Sequence, residues 1–227
     1  MLTRKNTNCL AALRFCLVTN IQNKELEQYS LFIKQAVLGG VSMVQLREKG
    51  ISYDLLRKQA VMLKKNLAPF NVPLIINDNV ELACEVDANG VHLGQTDMHP
   101  EKARKLLGPN KIIGWSLESL DDVHRSNSIS CLNYVTASAI FASKIKPDCK
   151  MHWGLDGLKT VVNLSKHPVT AIGGITVQNA QEIMNHGAKG VAVIGAVHDY
   201  EDAYFAALKL SNELDIDTAD KKRVRFK

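Results

Sequence analysis

Two aspartates stand where metal chemistry could take place, each just after a short apolar run of the sequence. Asp78 follows residues 74–76, Asp97 follows residues 90–93, and a helix-like segment separates the two runs. Strands joined by a helical crossover are parallel neighbours, so their carboxyl ends meet at one face of a sheet. Two carboxylates at that face could share one Mg²⁺ ion, which prefers oxygen ligands.

Cationic and hydrogen-bonding side chains follow other predicted strands in the same way. They are Gln45, Arg47, Lys49, Asn77 and Ser116, together with Ser143, Lys144 and Lys146 in a long loop after the sixth strand. Two cations and two carboxylates on consecutive strand ends form a charge-balanced set. Such a set suits a diphosphate held by Mg²⁺, with phosphate oxygens and water completing the octahedron.

A second anion site is indicated by Gly173 and Gly174, which precede Thr176 at a predicted helix start. Glycine lets the backbone approach an anion, and the N–H groups at a helix N-terminus point toward it. Barrel enzymes commonly bind phosphate after strands seven and eight, where these glycines and Gly195 fall. We therefore predict a second phosphate site, separate from the diphosphate.

Each of these residues also has a simple structural explanation. Arg47 and Lys49 could lie on a solvated loop, and either glycine of the pair could serve a tight turn. Asp78 and Asp97 could cap helices, since each precedes a helical segment. His92 lies inside an apolar strand and is expected to be a core residue. It is the combination of charges on consecutive strand ends that favours a functional site.

Eight strand–helix units are predicted to position these residues. Strands are expected at residues 12–19, 42–46, 74–76, 90–93, 111–115, 134–140, 169–172 and 190–194, and helices at 25–38, 53–68, 80–86, 100–107, 117–126, 155–163, 177–186 and 201–214. The strands are short and apolar on both faces, as buried parallel strands are. Eight units, and no Gly-x-Gly-x-x-Gly turn after the first strand, favour an α/β fold with a single (β/α)₈ TIM barrel over a doubly wound open sheet.

Composition limits the classes of protein that fit. Residues 1–214 are predicted to form one barrel domain and residues 215–227 a charged, frayed tail. The formal net charge of +5 arises from Lys and Arg in the last seven residues, so no nucleic-acid surface is implied. Five cysteines without a Cys-x-x-Cys pair argue against structural zinc and a disulfide framework. The sequence shows no signal peptide and no apolar run near ~18 residues, so we expect a cytoplasmic protein that binds small molecules and no membrane. The sequence leaves the oligomeric state open, and a homo-oligomer is one of the alternatives.

Seven motifs occur in order along the chain. They are Gln45-Leu-Arg-Glu-Lys49, Ile76-Asn-Asp78, Gly90-Val-His-Leu-Gly-Gln-x-Asp97, Gly114-x-Ser116, Lys146-Pro-Asp, Ala171-Ile-Gly-Gly-Ile175 and Gly190-Val-Ala-Val-Ile194. Together they resemble the thiamine-phosphate synthase family from about residue 15 to residue 197. The resemblance implies a Mg²⁺-dependent transferase of thiamine biosynthesis. Such an enzyme joins a hydroxymethylpyrimidine diphosphate to a thiazole phosphate and releases pyrophosphate.

The resemblance also implies a role for each matching residue. The pyrimidine diphosphate would be held by Gln45, Arg47, Lys49, Asn77, Ser116 and Lys146, the Mg²⁺ by Asp78 and Asp97, and the thiazole phosphate by Ser143, Gly173, Gly174, Ile194 and Gly195. The residues implied to be catalytic are Arg47, Lys49, Lys146 and Ser116. The three cations and the metal would stabilise charge growing on the leaving group, and the thiazole nitrogen is itself the nucleophile.

The sequence departs from the family pattern on the thiazole-phosphate side. The family usually has Gly-x-Gly-Pro before a Thr-x-Thr-Lys loop, whereas this chain has Thr136-Ala-Ser138-Ala139 and then Ser143-Lys-Ile145-Lys146. A Val-Ser or Ile-Ser pair near the end is replaced by Ile194-Gly195. The prediction is intact handling of the donor and altered affinity for the acceptor.

Two other functions stay open on the sequence alone. One is a thiazole tautomerase-like isomerase, which has no use for a diphosphate or a metal; the retained cations and acids argue against it. The other is a non-catalytic regulator that binds thiamine precursors, which the altered loop keeps in view. Metal-dependent release of pyrophosphate would separate the synthase from both.

Overall fold

A computed structural model describes residues 10–22, 24–142 and 151–216 of the chain. Its strands are β1 (Phe15–Val18), β2 (Met43–Leu46), β3 (Leu74–Asn77), β4 (Gly90–Leu93), β5 (Ile112–Leu117), β6 (Tyr134–Ser138), β7 (Val169–Ile172) and β8 (Gly190–Val193). Besides a helical turn at residues 10–13, the helices in these ranges are α1 (Leu26–Leu38), α2 (Tyr53–Leu67), α3 (Val80–Glu85), α4 (Pro100–Leu107), α5 (Leu120–Ser126), α6 (Gly154–Leu164), α7 (Val177–Asn185), α8 (Gly195–His198) and α9 (Ala203–Glu213), with a 3₁₀ turn at Ala68–Phe70.

The eight strands form a closed barrel in chain order, and every pair of neighbours is parallel. Closure is made by β1 and β8, where Phe15 lies opposite Val191 and Cys16 opposite Ala192. The predicted barrel is therefore confirmed, and the open sheet is excluded because an open sheet leaves its two edge strands unpaired.

Several element bounds differ from those predicted; for example, β6 ends at Ser138 and not at residue 140, and α5 begins at Leu120 and not at residue 117. Residues 10–13 are helical, so β1 begins only at Phe15; the sequence there is Leu-Ala-Ala-Leu, a run of good helix formers. Strand β5 continues to Leu117, which places Ser116 inside the strand and not after it. The short helix α8 was not predicted, since its four residues are too few to show helical periodicity.

Two apolar layers surround the strands, as the alternation of side chains across a sheet requires. The larger fills the space between the barrel and its helices, and the smaller lies inside the barrel, where Cys16, Met43, Ile75 and Tyr134 are buried. The last helix, α9, packs on α1, and the Ser211 hydroxyl donates to the Gly39 carbonyl at 2.7 Å. Across the three described ranges, none of the helices combines the length and the apolar character needed to cross a bilayer.

Candidate active site

A cavity of about 540 Å³ extends from the barrel interior to the carboxyl ends of the strands. This volume lies in the range of roughly 300–1,000 Å³ that is typical of small-molecule sites. The predicted site residues among its lining are Gln45, Arg47, Lys49, Asn77, Asp78, Asp97, Ser116, Gly173, Gly174, Ile194 and Gly195. The predicted Ser143, Lys144 and Lys146 lie outside the described residues, as does most of the predicted tail. Every predicted site residue that the structure describes is thus brought to one cavity.

The two aspartates lie side by side at the ends of β3 and β4. Burial, and then the hydrogen bond and negative charge of Asp97, raise the pKa of Asp78 from 3.8 to about 6, while Lys49 and Arg47 act in the opposite direction. The Gly94 N–H donates to Asp97 Oδ2 at 2.6 Å, which fixes the second carboxylate. Two carboxylates this close repel each other when both are ionised. The pair therefore favours a proton or a cation between them.

Helix capping, the structural alternative for these acids, is wrong. Helix α3 is capped by Asn79, whose side chain accepts from the Leu82 N–H at 2.8 Å, and α4 is capped by His99. Asp78 instead has a left-handed backbone, with φ of 63°, and its N–H donates to the His92 carbonyl at 2.8 Å. Neither carboxylate is therefore needed to start a helix.

The loop after β2, which carries the cations, is fastened to the end of β1. The Arg47 N–H donates to Thr19 Oγ1 at 2.9 Å, and the Thr19 hydroxyl donates to Glu48 Oε1 at 2.6 Å. The same Glu48 oxygen accepts from the Ile21 N–H at 3.0 Å. Arg47 is half-buried and Lys49 is exposed, but both border the cavity. A solvated loop therefore accounts for the exposure of Lys49, but it does not explain why both cations lie at the cavity.

Ser116 is held from two sides. His92 Nε2 lies 2.9 Å from Ser116 Oγ, and His92 Nδ1 lies 3.0 Å from the Tyr134 hydroxyl. Burial lowers the pKa of His92 to about 4, so the ring is neutral at pH 7 and cannot supply a permanent charge. Gln95 Nε2 donates to the Ser116 carbonyl. His92 is thus the satisfied core residue that was expected, and it also orients a cavity-lining hydroxyl.

The glycine pair after β7 is required by space as well as by conformation. Gly173 and Gly174 have φ of 102° and 64°, in the left-handed region. A Cβ at Gly173 would lie 2.4 Å from the Ala139 Cβ, and one at Gly174 would lie 2.6 Å from the Phe141 Cβ. The turn leads directly into the N-terminus of α7. Both the tight-turn explanation and an approach of the backbone to an anion are therefore compatible with this geometry.

Sequence reasoning missed several residues of the cavity wall. Tyr134, Thr136 and Ser138 all face the cavity from β6, and the hydroxyls of Thr136 and Thr170 lie 2.8 Å apart. The spacing of every second residue on a strand could have identified them. Asp199 also lines the cavity, and a Cβ at Gly195 would lie 2.7 Å from its Oδ2 atom. No local pattern marked this carboxylate, because it follows a helix that was not predicted.

Asp78 and Asp97 are adjacent carboxylates in the cavity that could hold a metal ion. Within residues 10–22, 24–142 and 151–216 no group of three or more His, Cys, Asp or Glu side chains is arranged to hold a metal ion. Mg²⁺ needs no such cage, since proteins commonly bind it through one or two carboxylates together with substrate phosphates. The pair, with its raised Asp78 pKa, fits that mode of binding.

The closed barrel, with acids, cations and a glycine-lined turn at the carboxyl ends of its strands, defines the class of (β/α)₈ barrels with a polar cavity at that end. Within that class the family is identified by comparison with known proteins. The family model described as thiamine monophosphate synthase matches residues 15–197. The chain therefore belongs to this family, which confirms the resemblance found in its motifs.

Individual relatives show the same likeness over nearly the whole barrel. The thiamine-phosphate synthase of Chlamydia caviae is 42% identical over 202 residues, which cover 89% of this chain and 95% of the relative. That of Albidiferax ferrireducens is 44% identical over 206 residues, or 91% of this chain and 94% of the relative. Among solved structures, thiamine phosphate pyrophosphorylase from Pyrococcus furiosus has a TM-score of 0.82 and 30% identity, and the match covers 91% of this chain and 97% of that one.

Proposed function

We propose that this chain is a thiamine-phosphate synthase that transfers a pyrimidinylmethyl group from hydroxymethylpyrimidine diphosphate to a thiazole phosphate. The observation that carries the proposal is the Asp78–Asp97 pair next to Lys49 and Arg47 in one cavity. In the reaction, the bond between the methylene carbon and the diphosphate oxygen breaks, and its electron pair leaves with pyrophosphate. A bond then forms between that carbon and the thiazole nitrogen.

The donor would occupy the side of the cavity formed by β2 to β5. Arg47 and Lys49 would bind the diphosphate, and their charges stabilise it more strongly as its negative charge grows. Gln45 and Asn77, which line the cavity at the ends of β2 and β3, would hydrogen-bond the pyrimidine ring or the phosphate. Ser116, oriented by His92, supplies a further hydroxyl. When bound by Asp78 and Asp97, Mg²⁺ would neutralise charge on the leaving oxygens.

The acceptor would occupy the side formed by β7 and β8. Gly173 and Gly174 allow the backbone to approach a phosphate, and Ile194 and Gly195 line the same side. The thiazole nitrogen is nucleophilic without losing a proton, so the chain needs no general base. The neutral state of buried His92 is consistent with that chemistry.

The proposal is tested by measuring pyrophosphate release with each substrate alone and with both, in Mg²⁺ and in a chelator. We expect release only with both substrates and Mg²⁺, and loss of release in Asp97→Asn. Asp87→Asn is the matched control, because Asp87 lies at the opposite end of the barrel wall in ion pairs with Lys64 and Lys111. Thiazole turnover without a diphosphate would favour the isomerase. Binding of both ligands without pyrophosphate release would favour the regulator.

A further inference from the structure

The part of the cavity wall that β6 forms carries hydroxyl groups where the family usually has glycine. In place of Gly-x-Gly-Pro, this chain has Thr136-Ala-Ser138-Ala139. Thr136 and Ser138 share the inward face of β6, and both line the cavity. Thr136 is 3% exposed and Ser138 is 7% exposed. Each residue therefore places a buried polar atom where a glycine would leave open space.

Only one direction of hydrogen bonding satisfies both contacts beside Thr136. Its hydroxyl oxygen lies 2.8 Å from that of Thr170, its partner in register on β7. The Thr170 oxygen also lies 3.3 Å from the Val135 carbonyl oxygen, which can only accept. The single hydroxyl hydrogen of Thr170 is therefore donated to Val135, and Thr136 must donate its own hydrogen to Thr170. The Thr136 oxygen can then only accept from a ligand.

Both hydroxyl oxygens have hydrogen-bonding capacity that the protein does not use. Among the described residues, no group donates to the Thr136 oxygen, and the Ser138 hydroxyl has no hydrogen-bond partner. A ligand that fills the cavity removes both oxygens from water. A buried polar group without a partner costs free energy, so the ligand that binds best is one that hydrogen-bonds them.

The position and the chemistry of these hydroxyls select one group of the two substrates. Thr136 lies within β6, deeper in the barrel than Asp78 and Asp97, which follow the ends of β3 and β4. A donor whose diphosphate lies at the strand ends can extend its ring into this deeper part. Thr136 requires an N–H or O–H donor from the ligand. The pyrimidine ring carries an exocyclic amino group, whereas the thiazole ring carries no N–H.

We propose that Thr136 and Ser138 form a subsite that recognises the amino-bearing edge of the pyrimidine ring. Thr136 accepts a hydrogen bond from the amino group, and Ser138 hydrogen-bonds the same edge of the ring. Thr170 is a positioning residue, because it takes the hydrogen of Thr136 and leaves only an acceptor. The subsite thus selects an aminopyrimidine over an oxopyrimidine, whose oxygen would face the Thr136 lone pairs. The inference rests on the proposed function, since it assumes a pyrimidine diphosphate as the donor.

The test uses the pyrimidine diphosphate and two analogues, in which hydrogen or oxygen replaces the amino group. Thr136→Val keeps the shape of the side chain and removes the hydroxyl, while Thr170 keeps its bond to Val135. Ser138→Ala removes the second hydroxyl and keeps the Cβ. The matched control is Ser126→Ala, because Ser126 is also fully buried and its hydroxyl donates to the Val123 carbonyl at 2.8 Å, away from the cavity.

In calorimetric titration with Mg²⁺, wild type should bind the amino compound about tenfold more tightly than the hydrogen analogue, as one hydrogen bond predicts. Thr136→Val should weaken binding of the amino compound about tenfold and leave the hydrogen analogue unchanged, and Ser138→Ala should weaken the amino compound about threefold. Thr170→Val should tighten binding of the oxygen analogue, because Thr136 then has a hydrogen to donate. A merely structural role would not produce that gain. Ser126→Ala should bind all three compounds as wild type does.

Two results would overturn the inference. One is equal affinity of wild type for the amino compound and the hydrogen analogue, a result that does not depend on the folding of any variant. The other is a loss in Thr136→Val that is the same for both compounds, with thermal unfolding showing that the variant is folded. Failure of the proposed function looks different, since wild type would then show these preferences in calorimetry and yet release no pyrophosphate when thiazole phosphate is added.

Discussion

Replacing Asp78 with asparagine should inactivate the protein and at the same time make it more stable. Asparagine keeps the shape of the side chain, removes its charge and tolerates the left-handed backbone that Asp78 adopts, with φ of 63°. An alanine would add backbone strain and obscure the result. The substitution thus isolates the electrostatic effect of placing a carboxylate next to Asp97.

The magnitude follows from the raised pKa of Asp78. A shift from 3.8 to about 6 disfavours the ionised form in the folded protein. At 1.36 kcal/mol per pKa unit this is roughly 3 kcal/mol, which solvent screening reduces to about 1–2 kcal/mol because the side chain is only half-buried. The folded state holds the proton more tightly, so this contribution to wild-type stability is present below pH 3.8 and is lost as the pH rises through about 6. The asparagine variant does not titrate there, and its advantage should appear above that range.

The assay is urea unfolding in a chelator between about pH 4 and pH 8, for wild type and variant side by side. The free energy of unfolding of Asp78→Asn should equal that of wild type near pH 4 and exceed it by about 1–2 kcal/mol near pH 8. Pyrophosphate release in Mg²⁺ should fall to background. Adding Mg²⁺ with pyrophosphate should stabilise wild type and not the variant, because ligands stabilise only the state that binds them.

Asp87→Asn is the control for the residue type and the backbone conformation. Asp87 also has a positive φ, of 50°, but hydrogen bonds with Lys111 and Lys64 lower its pKa to about 2. Its contribution is present above the ordinary pKa and is lost as the pH falls through about 2, so its removal should not stabilise the protein at pH 8. The reasoning is refuted if Asp78→Asn is less stable than wild type at pH 8 without metal, or if its gain is the same at every pH.

Three further predictions concern the two halves of the cavity. Arg47→Ala should lower kcat at least about tenfold, or ~1.4 kcal/mol, in steady-state kinetics; a rise in the donor KM alone would make Arg47 a ground-state binder. Gly174→Ala should destabilise the protein by about 1–3 kcal/mol in urea unfolding and raise the acceptor KM, because its φ is 64° and its Cβ would lie 2.6 Å from a neighbouring Cβ. Gly195→Ser should tighten thiazole-phosphate binding in calorimetry only when combined with Asp199→Ala, since the new Cβ would lie 2.7 Å from the Asp199 carboxylate. Additive effects in that double-mutant cycle would show that Asp199 does not obstruct the serine.

The barrel was accessible from the sequence because its apolar runs are short, separated by helical patterns and repeated eight times. The same pattern locates the strand ends, and it places Arg47, Asp78 and Gly174 at one end of the barrel. The errors were local. The sequence pattern places Ser116 in a loop because its polar side chain interrupts an apolar run, whereas in the barrel it points inward to His92.

The remaining features depend on contacts between residues distant in the chain. Tyr29 and His198 are 169 positions apart, and nothing near either residue indicates that they meet. The sequence pattern places Asp78 and Asp97 at one face of the sheet, but position alone does not distinguish helix capping from metal binding. The residue that caps the helix after Asp78 is Asn79, only one position further along the chain. Distinguishing them required the direction of each side chain, which a strand–helix pattern does not give.

Closure of the barrel by β1 and β8 has a consequence for how the protein is made. During synthesis, β1 leaves the ribosome long before β8, the strand that closes the barrel against it. The growing sheet keeps two open edges until residues 190–193 emerge. Unpaired edges of parallel strands invite aggregation, and such long-range pairing is slow to form. The final helix then docks on the first, with Ser211 meeting Gly39 across 172 positions. A chain that ends before β8 would therefore have an unclosed sheet and would lack the part of the cavity wall that β8 and α8 form.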